Sequence, residues 1–488
     1  MIPLTLAEVA AATGGDLRNC DPATVVTGTV EYDSRQVTDG GLFVALAGDR
    51  VDGHDFAAGA IAAGAVAVLA TRPVGDVPTV LVDDALVALG KLARAVVDRL
   101  PQLTIVGVTG SSGKTSTKDL LAGVVVRLGP TVAPPGSFNN ELGHPWTVLR
   151  ADENTRYLVL EKSARGVGHI RWLTEIAPPR IGVVLNVGTA HVGEFGSVEV
   201  TAQAKGELVE ALPTGSAGGL AVLNSDDQRV RAMAPRTKAR VVLVGQAPDA
   251  DVRATDVRLD AVGRPSFTLA AGDTTAEVTM RLHGEHHVGN ALAAAAVGLE
   301  LGLPLQEVAA ALGAAVPVSR RRMEVTERAD GVTIVDDSYN ANPDSVRAAL
   351  KALRAMSVPI APAPDVGAEP RGRRRVWAVL GVMAELGESS REQHDAIGRL
   401  AVRLDIDRLV VVGPEAGAIH AGAVLEGSWG EESVHVPDVD AAVRLLSEQL
   451  TPGDVVLVKA SRSARLDRVV DALLAESVAA PAAGGGHA

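Results

Sequence analysis

The chain has 488 residues, which by length suggests about three domains, and its net charge of −13 argues against a broad polyanion-binding surface. Only 2% of residues are aromatic, which argues against single-stranded nucleic-acid binding by base stacking, while 47% are hydrophobic, so cores of Val, Leu, Ile and Ala can form. The lone Cys20 excludes an intramolecular disulfide and fits a reducing cytoplasm.

Residues 1–100 read as a small α/β domain. Leu4, Leu6, Val9 and Ala10 predict a short helix, and residues 24–29 and 41–47 predict strands. The first sixteen residues lack the basic start of a signal peptide. Asp33-Ser34-Arg35 is a turn sequence and equally suited to a diphosphate. Residues 57–70 read as helix running into strand, too short and too rich in Ala and Gly to span a bilayer. A helix over 91–99 ends before Pro101.

Residues 101–316 form a second domain. Leu103, Ile105 and Val106 predict a strand, and Leu120, Leu121, Val124, Val125 and Leu128 one face of a helix. Between them runs Thr109-Gly110-Ser111-Ser112-Gly113-Lys114-Thr115. A loop of small residues at a helix N-terminus offers free amides to a phosphate. Lys114 would reach the terminal phosphates and the Thr115 hydroxyl would ligand Mg²⁺. The usual phosphate-loop glycine is displaced by one position, Gly107 preceding Val108. Strand-like residues 157–160 lead to Glu161, and 181–185 to Asn186 and His191, beyond strand C-termini where α/β sheets bind ligands. Residues 201–212 predict a helix, on which Lys205 reads by itself as a solvated lysine. Residues 251–283 alternate like a small antiparallel section. An Ala-rich helix then starts near His286 and His287, whose adjacent positions make a poor pair of metal ligands.

Residues 317–477 predict a second open α/β sheet, with strands at 332–335, 376–380, 409–412 and 455–458. The first ends in the polar run from Asp336 to Ser345. Residues 357–375, with their Arg-rich end, read as a solvated loop insertion, and 478–488 as a disordered tail.

Taken in order, the loop 109–115, Asn186…His191, Ala204-Lys205-Gly206-Glu207, His286…Asn290, Arg322-Met323-Glu324 and 336–345 resemble the Mur ligases. These are ATP-dependent amide-forming enzymes that build the peptidoglycan precursor. The resemblance implies a UDP-binding first domain, a central phosphate-loop domain and a C-terminal Rossmann-like domain. Phe138-Asn139-Asn140-Glu141-Leu142-Gly143 and Asp337-Ser338-Tyr339-Asn340-Ala341-Asn342-Pro343 point within the family to joining D-Ala-D-Ala to UDP-MurNAc-tripeptide; the location expected is the cytoplasm and the expected state a monomer. It implies ATP contacts from residues 109–115 and from Asn290, Arg322 and Asp337. Thr115 and Glu161 would carry one Mg²⁺, and His191 a second supported by Lys205 as a carbamate. Lys114, His191 and Lys205 would be catalytic. Ser34 and Arg35 would serve the UDP end, Asn139 and Asn140 the sugar-peptide, and Asn340, Asn342, Lys459 and Arg462 the dipeptide. Lys162-Ser163 departs from the family's Met-Gly after Glu161, and a cation pointing inward there would oppose Mg²⁺. The alternatives are a sister ligase, including a folylpolyglutamate synthase relative, or a scaffold of this fold with impaired catalysis.

Overall fold

Three large sheets follow one another along the chain, each largely parallel, beside a two-stranded antiparallel pair of Leu4–Thr5 with Val25–Val26, in a computed structural model that describes residues 1–48, 51–188, 192–358, 373–428 and 430–479. The first sheet runs Asp16–Arg18, Thr79–Leu81, Ala65–Ala70, Gly41–Val44, Val30–Glu31, antiparallel only at its first pair. Helix Leu6–Thr13 forms where expected: Thr5 and Glu8 satisfy each other's amides in a capping box, and left-handed Gly14 ends it. The helix expected at 91–99 starts earlier, at Ala85, because Asp84 accepts from the Leu86 and Val87 amides.

The central sheet has nine strands. In spatial order they are Thr131–Val132, Tyr157–Glu161, Thr104–Thr109, Ile181–Val184, Leu220–Asn224, Arg240–Gly245, Val252–Leu259, Pro265–Ala271 and Thr274–Thr279. The last two pairs are antiparallel and the rest parallel. From Thr104–Thr109 the chain builds to one side and then returns to build on the other. That strand is therefore the switch point beyond whose C-terminus a ligand crevice opens. Helices Lys114–Val125 and His286–Glu300 cover one face, with Leu120, Leu121, Val124 and Ala291 in its core. Helices His169–Ile176 and Val198–Glu210 lie together on the other face. Val148, Leu158, Leu160 and Ile176 share one buried cluster with Ile2, Leu4, Leu89 and Leu92, so the first domain's core takes in one side of the central domain.

The third sheet runs Glu324–Glu327, Thr333–Asp336, Val455–Lys459, Val376–Leu380, Arg408–Val412, Ser433–Val436, with only the first pair antiparallel. Val455 and Leu457 enter the cluster on one face, Val456 and Val458 that on the other. Burial on both faces explains their unbroken apolar run. Of the expected insertion, 359–372 lie outside the described residues. Its Arg-rich end is not a solvated loop. Arg373 pairs with Asp405 and Asp407, Arg374 donates to Thr333 Oγ1 (2.6 Å), and Arg375 meets Asp454 (2.6 Å). These carboxylates stand near the starts of neighbouring strands, where the arginines neutralise them. Helix Asp467–Ala479 takes in the first two residues of the expected tail; 480–488 lie outside the described residues.

Candidate active site

The phosphate loop joins strand Thr104–Thr109 to helix Lys114–Val125 and lines a cavity of about 340 Å³ facing the third sheet. Gly113 opens the helix in the left-handed region (φ 79°), and a Cβ there would lie 2.7 Å from Asn290 Oδ1, so only glycine fits. The amides of Ser111 and Ser112 are not free as expected: both donate to Asn186 Oδ1 at 2.9 Å, and Asn186 Nδ2 donates to Ser112 O. Asn186 thereby fixes the loop's shape, and the first-turn amides from Lys114 onward, which have no intrahelical acceptor, face the cavity's anion position. Lys114 Nζ rests on Gly110 O (2.6 Å), and burial pulls its pKa down to about 8 against the opposing Glu161 charge.

Gly107 occupies the displaced position for a reason of space. A Cβ there would lie 3.0 Å from both Leu208 Cδ1 and Lys162 Cε. Lys162 thus points to the face opposite Glu161, as alternation along a strand requires, and does not oppose a cation. It is fully buried, its amine 2.8 Å from His144 Nε2 and donating to the carbonyls of Leu173 and Ala177. Burial drives the Lys162 pKa well down; His144 is likewise lowered, by burial and by Lys162.

Glu161 is completely buried. Its Oε2 accepts from Thr115 Oγ1 (3.3 Å), Ser137 Oγ (3.3 Å) and Asn139 Nδ2 (3.1 Å), while Oε1 has no partner. A buried, half-satisfied carboxylate beside a hydroxyl fits Mg²⁺, which takes one or two protein oxygens and completes its shell from phosphates and water. Among the described residues no cluster of three His, Cys, Asp or Glu could hold a metal, and His191 lies outside them. Lys205 is not a solvated lysine: it is buried on helix Val198–Glu210, its pKa held well below the ordinary value by burial and by nearby Lys114.

The third sheet supplies the opposite wall. Arg322 stacks on Tyr339 (4.1 Å to the ring centre) and donates to Thr115 Oγ1 (3.3 Å). Asp337 accepts from the Met323 amide and, at 2.6 Å, from buried Lys459, whose charge holds it in place. Asn342 caps helix Pro343–Ala355 and reaches Ser111 O (3.5 Å). Asn290 Nδ2, His286 Nδ1 and His287 Nδ1 are buried without partners at the cavity wall. That orphaned set fits the edge of a purine base. The two histidine rings lie only 4.3 Å apart, closer than adjacent helix positions led us to expect.

Of the expected site residues, Ser111, Ser112, Gly113, Lys114, Thr115, Asn139, Asn140, Asn290, Arg322, Asp337, Asn340, Asn342 and Lys459 line this one cavity. Arg462 lines an adjoining cavity that shares Thr115, Ser137, Arg322 and Tyr339. Ser34 and Arg35 lie apart, in the short turn after Val30–Glu31. There Arg35 is engaged with Asp33 at 2.6 Å, and the bond to Arg35 lowers Asp33 to about 2. Ser137 has no pattern in the sequence, and Tyr339, although inside the stretch 337–343, takes no role from it; the fold alone brings the two to Glu161 and Arg322.

A phosphate loop at the switch point of a mostly parallel sheet, roofed by a second open sheet, defines a nucleotide-binding α/β enzyme. Three family models match: the Mur ligase family catalytic domain over residues 28–96, the Mur ligase middle domain over 108–298, and the Mur ligase glutamate ligase domain over 321–462. The chain belongs to the Mur ligase family. It is 55% identical to the UDP-N-acetylmuramoyl-tripeptide–D-alanyl-D-alanine ligase of Mycobacterium tuberculosis, covering 98% of both chains. It is 35% identical to the Escherichia coli ligase of that name, over 97% of this chain and 99% of the other. MurF from Acinetobacter baumannii superposes with a TM-score of 0.84 at 30% identity, over 97% and 99% of the two chains. MurF from Thermotoga maritima, in complex with ADP, gives 0.77 at 31% identity, over 93% and 99%.

Proposed function

We propose that this protein joins D-Ala-D-Ala to UDP-MurNAc-tripeptide at the expense of ATP, completing the cytoplasmic peptidoglycan precursor. The observation that carries this reading is the single cavity lined by the phosphate loop and by Asn139 and Asn140, with the half-satisfied Glu161 bonded from behind to its lining residues Thr115, Ser137 and Asn139. Full-length likeness to ligases of that name supplies the substrates.

The tripeptide carboxylate attacks the γ-phosphorus of ATP; the β–γ bridge bond breaks, giving an acyl phosphate and ADP. The amine of D-Ala-D-Ala then attacks the acyl carbon and phosphate leaves. Two anions must meet in the first step, so charge neutralisation and alignment dominate. Lys114 and the first-turn amides of helix Lys114–Val125 hold the phosphates, and Arg322 covers them from the third sheet. Thr115 and Glu161 would hold Mg²⁺, which polarises the phosphoryl oxygens. Asn290 and Asp337 take the adenosine, Ser34 and Arg35 the diphosphate of the sugar nucleotide, and Asn139 and Asn140 its peptide end. Asn340, Asn342, Lys459 and Arg462 face the dipeptide. Lys205, whose burial and neighbour Lys114 push its amine towards the uncharged form, is suited to capture CO₂ as a carbamate, losing a proton and becoming an anion beside the site. With His191 it would support a second Mg²⁺. The chain acts as a monomer.

The test is phosphate release by the full-length protein with UDP-MurNAc-tripeptide and ATP, offering D-Ala-D-Ala or single amino acids. Release with the dipeptide alone is expected; release only with another acceptor, or ATP binding without turnover, overturns the reading. Lys205→Ala should lose turnover by about 100-fold and regain part of it with formate as a carboxylate surrogate. Full unaided activity would remove the carbamate.

A further inference from the structure

Lys162 and His144 take no part in the chemistry above, yet both are fully buried and their nitrogens lie 2.8 Å apart. Whichever nitrogen holds the shared proton, one donates to the other. The Lys162 amine also holds the carbonyls of Leu173 (3.0 Å) and Ala177 (3.3 Å), where helix His169–Ile176 ends and a donor complements the dipole. Its backbone is locked as well: the amide donates to Val108 O and the carbonyl accepts from Thr109 Oγ1, both at 2.8 Å.

His144 opens the buried helix Gly143–Val148, and this helix holds Asn140. The His144 amide donates to Asn140 O and the Gly143 amide to Asn140 Oδ1, both at 2.9 Å. Asn139 is tied to the same strand end: its Nδ2 donates to Glu161, and its carbonyl accepts from the amide and hydroxyl of Ser163 at 3.1 Å. The far part of the helix has its own anchor, Trp146 Nε1 on Glu31 (2.9 Å). The His144–Lys162 bond is therefore the side-chain link that fixes the start of the helix, and with it Asn140, to the strand carrying Glu161.

We propose that His144 and Lys162 are positioning residues. Without touching substrate, they hold Asn139 and Asn140 in register with Glu161 and so set affinity for the sugar-peptide substrate. The assignment of Asn139 and Asn140 to that substrate rests on the function proposed above.

The test uses the full-length protein below its unfolding temperature, with His144→Leu, His144→Gln, Lys162→Met and the double variant His144→Leu/Lys162→Met. His144→Leu should raise KM for UDP-MurNAc-tripeptide about 10-fold while KM for ATP moves less than about twofold. His144→Gln, whose amide can still bond to Nζ, should restore most of the loss. Lys162→Met should match His144→Leu, and the double variant should add nothing, because the two act as a unit. An unchanged sugar-peptide KM, with only a lower melting temperature, would reduce the pair to a stability feature and overturn the proposal. So would equal losses for both substrates. Should Lys162→Met not fold, the two His144 variants still decide. Hydrogen exchange separates this inference from the functional reading. If the wild type does not turn over these substrates, that reading fails. The Gly143 and His144 amides must still exchange faster in His144→Leu, and unchanged exchange overturns the link itself.

Discussion

Glu161 carries one satisfied and one unpartnered oxygen in a fully buried carboxylate, and Lys114 sits opposite with its charge weakened by burial. Glu161→Gln preserves shape and removes the charge. We expect kcat to fall about 100-fold and the Mg²⁺ needed for half-maximal rate to rise, read by titrating Mg²⁺ in the phosphate-release assay. The buried histidines give a pH prediction. Burial lowers His286 to about 4 and His287 and His144 well below the usual value. For each the folded pKa lies below the unfolded one near 6.5, so below that pH the unfolded chain binds more protons and gains ground. Stability contributed by these neutral imidazoles is complete above about pH 6.5 and falls as pH drops towards 4. The melting temperature should decline across that window, and His287→Asn, which cannot titrate, should flatten the decline.

Two helix starts bring the site together from different sheets. Asn342 caps helix Pro343–Ala355 through its Oδ1, while its Nδ2 reaches the phosphate loop. Asn342→Ala should cost about 1 kcal/mol of helix stability, seen as a lower melting temperature, and raise KM for ATP. Asn342→Asp keeps the cap acceptor but loses the donor, so it should keep the melting temperature and still raise KM for ATP. The inner strands were legible because burial on both faces makes runs such as 455–458 wholly apolar. The edge strands Thr131–Val132, Glu324–Glu327 and Ser433–Val436 were not, being short and only partly buried, without a period to read. The phosphate loop carries its own motif and was found directly. For Lys205 a role was expected only through the family resemblance, since a lone lysine on a helix signals solvent. Nothing local to Lys162 shows that it is buried: its partners come from three segments, and only the closing of the sheet reveals them. The arginines at 373–375 misled for the same reason, their carboxylates lying more than thirty residues away along the chain.

The central and third sheets meet at more than the nucleotide. The Gly193 amide donates to Glu385 O (3.1 Å), and a Cβ on Gly193 would lie 2.5 Å from the Gly387 amide nitrogen. Gly193 itself is outside the left-handed region, so Gly193→Ala acts purely as a wedge between the two halves. It should increase the radius of gyration measured by small-angle scattering and lower kcat about 10-fold or more, by holding Asn342 and Arg322 off the loop. The buried cluster that joins the first hundred residues to Val148, Leu158, Leu160, Ile176 and Ala177 acts at the same scale. On the ribosome the N-terminal segment emerges first, as chains do. Its apolar face stays uncovered until residue 177 has left the exit tunnel, so this segment has to wait, exposed to chaperones and proteases, for the strand that will later carry Glu161.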